Sequence, residues 1–320
     1  MRTAAGRSPP SAADAHRLPS PTLLSIELAV TTPAFLDLTF VGLEALPAPG
    51  EERFAGELIR SPGGGAITAV AAARLGLDTA LVAPIGDDLG GEYVRREVER
   101  DGVVVAGFRT KRTPETVVMP VGEERAMVTV DPGIRARATD VAALTPVAIA
   151  ANLDQLDLVP NGVRGYLTVG DDDARAFAGK LPPRLVGTRA LFINAREALI
   201  ITGTDTPEAA TDQLGEWVET VIVTLDSQRA LATVGGSRVE VPDYSGGAIV
   251  DITGDRDLLC AAFAWADLRG AKPDERIAWA QLYSQLAMGV PTATGGAVTQ
   301  ARLLEEGASR GLARPSRIRG

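Results

Sequence analysis

Short apolar runs alternate with stretches of helical periodicity along most of the chain. Apolar residues recur every three or four positions at 66–76 and at 88–102, which predicts one helix in each range. The strand-like apolar runs, bounded by glycine or polar residues, lie at 25–32, 35–42, 79–86, 126–130, 165–170, 189–194 and 219–225. This alternation favours an α/β fold with a central, mostly parallel sheet flanked by helices. In such sheets ligands bind beyond the carboxyl ends of the strands.

Two segments interrupt this alternation, at 37–60 and 104–130. Both contain short strand-like runs separated by turn residues, and neither contains a helical pattern. They predict a small antiparallel sheet, which is either a lid over the ligand site or an ordinary surface hairpin. The composition of 1–24, rich in proline and serine, predicts a disordered tail, and that of 313–320 a loose basic tail. One domain is therefore expected over 25–312.

Composition narrows the classes of function. The formal net charge is −9, whereas a nucleic-acid surface needs clustered basic residues. No apolar run approaches the ~20 residues that span a bilayer, and the one cysteine, Cys260, can form no internal disulfide. We therefore expect a cytoplasmic protein with neither a nucleic-acid nor a membrane partner. The one histidine, His16, lies in the expected tail, which excludes a histidine triad and leaves proton transfer to carboxylates, lysines or tyrosines.

Three places along the chain are candidates for ligand contact: a run of glycines and the ends of two predicted strands. Three glycines, Gly63 to Gly65, precede the first predicted helix, where the backbone can approach a ligand and the helix start attracts anions; ordinary turns show the same pattern. Asn194 ends a predicted strand and Glu197 follows three positions later, where both can face a ligand or simply cap the next helix. Thr224 ends the next strand and is placed to touch a ligand.

The stretch from Asp251 to Leu268 begins with charged residues and turns abruptly apolar. Its apolar residues have the spacing of one buried helical face, so the charged cluster lies at a helix start, where free backbone N–H groups favour an anion. Asp257 stands there as a carboxylate able to take a proton from a hydroxyl. An ordinary capped helix, with Thr253 as N-cap and a surface pair between Asp251 and Arg256, is the alternative.

The order and spacing of these motifs resemble the ribokinase-like (PfkB-type) sugar kinase family. The motifs are PGGG before an early helix, GDD after the next strand, NAREA at 194–198, VIVTL before a hairpin, and DITGDRD at 251–257. The resemblance runs from about residue 28 to 312, and the combination is specific although no single motif is. It implies a central α/β sheet with a small β-sheet lid. It also implies transfer of a phosphoryl group from ATP, with Mg²⁺, to a hydroxyl of a small polyhydroxylated substrate, a sugar more than a nucleoside.

Matched residue by residue, the resemblance assigns a role to each candidate. The roles are substrate binding by Asp37, Gly63, Gly64 and Gly65; action on Mg²⁺ and phosphate, through water, by Asn194 and Glu197; nucleotide binding by Thr224 and Asp226; and an anion hole formed by Gly254, Asp255, Arg256 and Asp257, with Asp257 as the base. In the family, lid sheets can pair across a dimer, so a homodimer through the lid is a further expectation.

The sequence departs from the family at the anion hole. The family usually has Gly-Ala-Gly-Asp where this chain has Gly-Asp-Arg-Asp. The carboxylate of Asp255 repels phosphate, and Arg256 either offsets that charge or reaches the γ-phosphate. Asp226 and Arg229 replace two glycines near the nucleotide. Two interpretations stay open: an active ATP-dependent kinase, and a degenerate kinase fold that binds a sugar or nucleotide as a sensor without turnover.

Overall fold

The computed structural model describes residues 25–121, 124–226, 228–244 and 249–318. The expected N-terminal tail, 1–24, and the last two residues of the expected C-terminal tail lie outside these ranges.

The described strands are short, and most of those in the middle of the molecule are buried. In chain order they are β1 (Leu28–Val30), β2 (Ala34–Val41), β3 (Glu57–Gly64), β4 (Thr79–Leu81), β5 (Ile85–Gly86), β6 (Val104–Val105), β7 (Arg109–Thr110), β8 (Glu115–Val121), β9 (Glu124–Val130), β10 (Ala148–Asn152), β11 (Arg164–Thr168), β12 (Ala190–Asn194), β13 (Thr220–Thr224), β14 (Ala230–Val234) and β15 (Ser237–Val239).

The described helices connect these strands or follow them. In chain order they are α1 (Gly65–Arg74), α2 (Leu89–Arg100), α3 (Ala138–Ala142), α4 (Asp171–Ala176), α5 (Ala195–Thr202), α6 (Pro207–Gly215), α7 (Asp255–Leu268), α8 (Pro273–Ala287), α9 (Ala293–Gly296) and α10 (Gln300–Ser309), with 3₁₀ turns at Leu153–Leu158 and Pro183–Leu185. Among the described residues, none of these helices combines the length and apolar character that a membrane crossing requires.

Nine of the described strands form the main sheet, in the order β15-β14-β13-β12-β11-β10-β1-β4-β6. From β13 to β6 the neighbours are parallel, and the hairpin strands β14 and β15 add an antiparallel edge. One apolar core lies between the sheet and α1, α7 and α8, and a second between the opposite face and α5 and α6. The expected α/β architecture, with a mostly parallel sheet covered on both faces, is confirmed.

A second sheet has the order β3-β2-β8-β9. It is not fully antiparallel as expected, because β2 and β8 run parallel while the other two pairings are antiparallel. The segment expected at 104–130 also divides: β6 joins the edge of the main sheet beside β4, and β7 pairs with β5. The half-buried valines of β6 pair with the buried strand β4, so within the 104–130 segment only β8 and β9 belong to the small sheet. We call this sheet, residues 34–64 and 115–130, the lid.

Glycines set two of the chain reversals. α1 ends at Arg74, and Gly76 follows with a φ of +80°, a left-handed conformation common just after helices. Gly235 and Gly236 have φ values of +57° and +77° and connect β14 to β15. Two successive positive φ values are those of a tight hairpin turn, so the predicted hairpin with a glycine pair forms as expected.

The C-terminal residues up to 318 are held against the body rather than loose. The N–H of Arg317 donates a hydrogen bond of 2.8 Å to the carbonyl of Arg269, just after α7, and Pro315 is buried. Ile318 packs against the apolar core on the α7 side of the sheet.

α7 is buried along nearly its whole length from Leu258, including the thiol of Cys260. Near its end the buried carboxylate of Asp267 accepts hydrogen bonds from Tyr166 Oη at 2.8 Å and Arg189 Nε at 2.9 Å, and it pairs with Arg276 Nε at 3.0 Å. The arginine and tyrosine donors hold the pKa of Asp267 below its usual range although burial alone raises it. This cluster attaches the end of α7 to the amino ends of the strands.

Candidate active site

The start of α7 depends on a glycine. Gly254 is the N-cap with a φ of +76°, and a Cβ at this position would lie 2.6 Å from Ile67 Cδ1 and 2.8 Å from Ala293 Cβ. The alternative with Thr253 as N-cap is wrong: the helix begins one residue later, and Thr253 Oγ1 is buried without a hydrogen-bond partner. Helix geometry leaves the first N–H groups of α7 without intrahelical acceptors, so they form a positive end.

Asp257 lies in that first turn, and α1 holds its carboxylate. Thr68 Oγ1, on α1, donates a hydrogen bond of 3.0 Å to Asp257 Oδ1. Burial raises the pKa of Asp257 to about 7, and the neighbouring Arg256 opposes the rise. The sequence analysis gave Thr68 no role; its one signal was a polar side chain on the buried side of a helix that follows three glycines.

Asp37 lies in β2 of the lid and is buried. Burial, together with the charges of Asp257 and Asp251, raises its pKa to about 7. The charge at the start of α7 therefore acts on Asp37, although the two candidates lie far apart in the sequence.

The three glycines allow the end of β3 to pack closely against β2 and against the residues just before β2. A Cβ at Gly63 would lie 2.2 Å from the carboxylate of Asp37, and one at Gly65 would lie 2.1 Å from the carbonyl of Thr32. Gly64 has a φ of +55°. β3 runs through Gly64, so the first two glycines belong to a strand rather than to an open loop. Their role in the structure is to make room for Asp37 and its strand; contact with a substrate stays a prediction.

Asn194 and Glu197 form a capping box at the start of α5. Asn194 Oδ1 accepts a hydrogen bond of 2.8 Å from the N–H of Glu197, and Glu197 Oε2 accepts one of 3.1 Å from the N–H of Asn194. Glu197 also pairs with Arg256, whose Nη1 lies 2.5 Å from Oε2. The expected surface pair of Arg256 with Asp251 is therefore wrong, because the buried Glu197 carboxylate takes the guanidinium instead.

These contacts bear on the expected Mg²⁺ site. Among the residues that the structure describes, no group of three or more histidine, cysteine, aspartate or glutamate side chains could hold a metal ion. Asn194 Oδ1 is occupied by a backbone N–H, and the Glu197 carboxylate is compensated by Arg256. Burial raises the pKa of Glu197, and Arg256 opposes that rise. In this arrangement Asn194 and Glu197 are not placed as direct ligands of Mg²⁺, and the action through water that the family resemblance implied stays a prediction.

Asp251 joins the two loops that flank the start of α7. Its Oδ1 accepts a hydrogen bond of 2.8 Å from the N–H of Thr253, and its Oδ2 accepts one of 2.9 Å from the N–H of Thr292. Thr292 has a φ of +63°, which is strained for a β-branched residue. The carboxylate of Asp251 therefore holds an unfavourable loop conformation in place beside α9.

The expected nucleotide residues lie at the end of β13. Thr224 is buried and pairs in register with Asn194 of β12 and Ala230 of β14. Asp226 Oδ1 accepts the N–H of Arg229 at 2.8 Å, and Oδ2 accepts Nε of the same arginine at 2.7 Å. These two residues, where the family has glycines, thus stabilise the turn between β13 and β14.

The lid also reaches the loop before α7 through Arg125. On the ladder from β2 to β9, Asp37 pairs with Thr116 and Thr116 with Thr129, so Arg125, four residues from Thr129, lies on the same face as Asp37. Arg125 Nη1 donates a hydrogen bond of 3.2 Å to the carbonyl of Ile252, and its Nε is buried without a partner. The sequence analysis missed Arg125, since one arginine in an exposed-looking strand gives no signal.

Comparison with known proteins gives two kinds of likeness. A protein described as an uncharacterized sugar kinase from Archaeoglobus fulgidus is 27% identical over 220 residues, which cover 63% of this chain and 88% of that protein. The ribokinase of Cryptococcus neoformans var. grubii serotype A, in complex with ADP, superposes with a TM-score of 0.73 at 19% identity over 88% of this chain and 99% of that one. The ribokinase of Arabidopsis thaliana, complexed with ribose and ATP, gives a TM-score of 0.73 at 23% identity, over 88% and 98% of the two chains.

The structural likenesses show a shared ribokinase-like fold. A family model identifies the family as well, because residues 55–300 fit the model of the pfkB family carbohydrate kinases. That range is well over half of the chain and contains the glycines of β3, the capping box at α5 and the start of α7. The chain belongs to the pfkB family of carbohydrate kinases.

Proposed function

We propose that this chain transfers the γ-phosphoryl group of ATP to a hydroxyl of a small sugar or sugar-like substrate. One observation carries the proposal: the carboxylate of Asp257, whose pKa burial raises to about 7, stands in the first turn of a helix with free N–H groups, and its charge raises the pKa of Asp37. A base with a pKa near the working pH is suited to proton transfer. The family membership and the shared fold support this assignment.

In the proposed reaction Asp257 accepts the proton of the acceptor hydroxyl. The hydroxyl oxygen forms a bond to the γ-phosphorus as the bond from that phosphorus to the β–γ bridging oxygen breaks, and ADP leaves with the electron pair. Thr68 holds Asp257 Oδ1, so Oδ2 is the oxygen left to face the hydroxyl. The N–H groups at Asp255 and the next residues stabilise the charge on the transferring group.

Substrate binding is assigned to the acceptor end of the same cleft. Asp37 accepts hydrogen bonds from hydroxyls of the substrate. These hydrogen bonds take the place of those that water would give to an exposed carboxylate. Thr224 and the turn at Asp226 lie at the far end of the carboxyl edge and are proposed to bind the nucleotide. In support, solved structures of similar fold include ribokinases in complex with ADP and with ribose and ATP.

We also propose that two copies of the chain associate through the lid. β9 is an edge strand of the lid, and Met127, Val128 and Val130 on it are exposed. An unpaired edge that carries exposed apolar side chains favours pairing with another strand. Phe54, in the loop between β2 and β3, is 85% exposed and adds apolar surface to the same sheet.

The second candidate function is ligand binding without turnover. Asp255, at the start of α7, favours it, because its carboxylate lies where negative charge develops on the phosphoryl group. The turn closed by Asp226 and Arg229 favours it as well, since it replaces flexible glycines beside the expected nucleotide.

ATP consumption against a panel of pentoses, hexoses and nucleosides, with Mg²⁺ present, separates the two functions. We expect turnover with at least one sugar and a loss of roughly 10²–10⁴ in kcat for Asp257→Asn. Because the base must be deprotonated, kcat/KM falls as the pH is lowered through about 7. Asp212→Asn is the matched control, since Asp212 pairs with Arg238 on the exposed surface.

The stability of the Asp257→Asn variant is part of the same test. Burial raises the pKa of Asp257, so the ionised carboxylate is the costly form in the folded protein above pH 7. The variant is therefore expected to melt no lower than wild type at pH 8. Sugar or nucleotide binding with no turnover by wild type, for every substrate of the panel, supports the binding function instead.

A further inference from the structure

The side chain of Arg256 leaves the first turn of α7 and crosses the carboxyl edge of the main sheet. Its Nη1 donates hydrogen bonds to the carbonyl of Val169, which follows β11, and to Oε2 of Glu197, in the first turn of α5. α7 and α5 lie on opposite faces of the sheet. This one side chain therefore spans the edge at which ligands of α/β sheets bind.

The ion pair uses the negative charge that was expected to act on a metal ion. The Glu197 side chain is 4% exposed, and it is held by Arg256 at 2.5 Å and by the N–H of Asn194. A buried carboxylate needs a partner cation, and once it has one a second cation gains little attraction from it. A permanent cation of the protein thus lies beside the two residues that were expected to act on Mg²⁺.

The guanidinium of Arg256 keeps hydrogen-bond donors for a ligand. It carries five N–H groups, and its hydrogen bonds to the described residues use Nη1. Nε and Nη2 are not among the buried polar atoms that lack a partner, and the side chain is 24% exposed. The side chain is therefore partly open to solvent, and Nε and Nη2 are the donors that its two hydrogen bonds through Nη1 leave over.

The position of the guanidinium suits the phosphates of a nucleotide. Thr224 and Asn194 are register partners on β13 and β12, and Val169 follows the next strand, β11. On the other side lies the first turn of α7, with the N–H groups assigned to the transferring phosphoryl group. A nucleotide whose phosphates run from Thr224 to the start of α7 would pass beside Arg256.

We propose that Arg256 binds the phosphate groups of the nucleotide as a built-in cation, so that nucleotide binding by this chain depends little on a divalent metal. This inference rests on the proposed function, because it assumes that the cleft binds a nucleotide. A planar guanidinium matches two phosphate oxygens at once and stays charged at every working pH. Glu197 orients it and compensates its charge until the phosphates arrive.

Titration calorimetry of ADP in Mg²⁺ and in excess EDTA tests the inference without any turnover. We expect the two dissociation constants of wild type to differ by less than about threefold. Arg256→Ala is expected to weaken ADP binding in EDTA by about tenfold or more, the effect of losing hydrogen bonds to a charged group. Arg196→Ala is the matched control. Arg196 lies in the first turn of α5 beside Glu197, is exposed, and pairs with Asp171.

Arg256→Ala leaves Glu197 buried without its cation, and this variant can misfold for that reason. A second variant controls for misfolding. The double variant Arg256→Ala with Glu197→Gln carries no unpaired buried charge and is expected to show the same loss in EDTA. Glu197→Gln alone keeps the guanidinium and is expected to bind ADP in EDTA at least as tightly as wild type.

Two results overturn the inference and leave the proposed function standing. One is ADP binding by wild type that weakens more than about tenfold when EDTA replaces Mg²⁺. The other is metal-free binding that is equal in wild type and the double variant, which makes Arg256 a purely structural partner of Glu197. If wild type binds ADP neither in Mg²⁺ nor in EDTA, the inference and the proposed nucleotide site are both overturned.

Discussion

Asp37 and Gly63 form one packed unit at the proposed acceptor site. They lie diagonally across the β2–β3 ladder, and the carboxylate occupies the space that a Cβ at 63 would need, 2.2 Å away. The family resemblance identified both positions as substrate residues. The structure adds that the glycine determines where the carboxylate points.

Gly63→Ala tests this dependence. The atoms that the new methyl group meets are the end of one side chain, so the fold adapts while the Asp37 carboxylate is displaced. We expect KM for the sugar to rise by about tenfold or more, the loss of a hydrogen bond to a charged group, with a small change in melting temperature. Gly56→Ala is the control, since a Cβ there has one ordinary contact, 3.4 Å to the carbonyl of Val41. An unchanged KM in Gly63→Ala would show that Asp37 is not held in place by the glycine.

Residue identities at the site were predictable where chemistry alone selects them. Asp257, a carboxylate at a helix start, stood out because few other groups in a chain with one histidine can transfer protons, whereas Asp37 was named only through the family resemblance. The partner of Arg256 was not predictable. Asp251 is nearer in sequence than Glu197, and only the folded sheet edge brings Glu197 within 2.5 Å.

Among the strands and helices, β9 of the lid contacts the loop that leads to α7. Arg125 of β9 donates to the carbonyl of Ile252, in the loop that leads to α7. This contact joins the lid to the element that carries the proposed base. Closing segments of this kind exclude water from the reaction.

Arg125→Ala removes that contact. We expect kcat/KM for the sugar to fall by about tenfold, because the closed lid becomes less populated, while ADP binding at the other end of the cleft is unchanged. Steady-state kinetics and calorimetry measure the two effects. Arg60→Ala, in the lid strand β3, is the matched control, since Arg60 is exposed and lines a cavity with Tyr93 and Arg74. An equal loss in both variants would assign the effect to the lid as a whole.

Secondary structure was predictable where apolar runs are bounded by glycine or polar residues, as in β11 to β13, whereas β10 was not predicted. The pairing within the lid was not predictable, because β2 and β8 are separated by α1 and α2 and their parallel alignment is decided by tertiary packing. The same holds for β6, whose two valines pair with β4 in the main sheet although their surroundings resemble the lid segments.

At the scale of the whole molecule, the edge strand β9 of the lid exposes apolar side chains that a second copy of the chain can cover. Val128→Lys places a charge on that edge, where Val128 is 61% exposed. We expect sedimentation equilibrium to show a dimer for wild type and a weaker association, by about tenfold or more, for the variant. Val186→Lys is the control, because Val186 is equally exposed and lies outside the lid. A monomeric wild type at all concentrations would contradict the proposed dimer.

α7 is attached to the rest of the protein at both ends. Arg256 binds Glu197 and Val169 at the carboxyl edge of the sheet, and Asp267 binds Tyr166 and Arg189 at the amino edge. Midway between these attachments lies Cys260, the one cysteine in the sequence, buried one turn after Asp257. Burial raises the pKa of this thiol well above its usual range, so the thiol does not react with alkylating reagents while α7 stays in place. The rate at which such a reagent labels the native protein therefore reports, without any engineered probe, how often this one helix lifts away from the sheet.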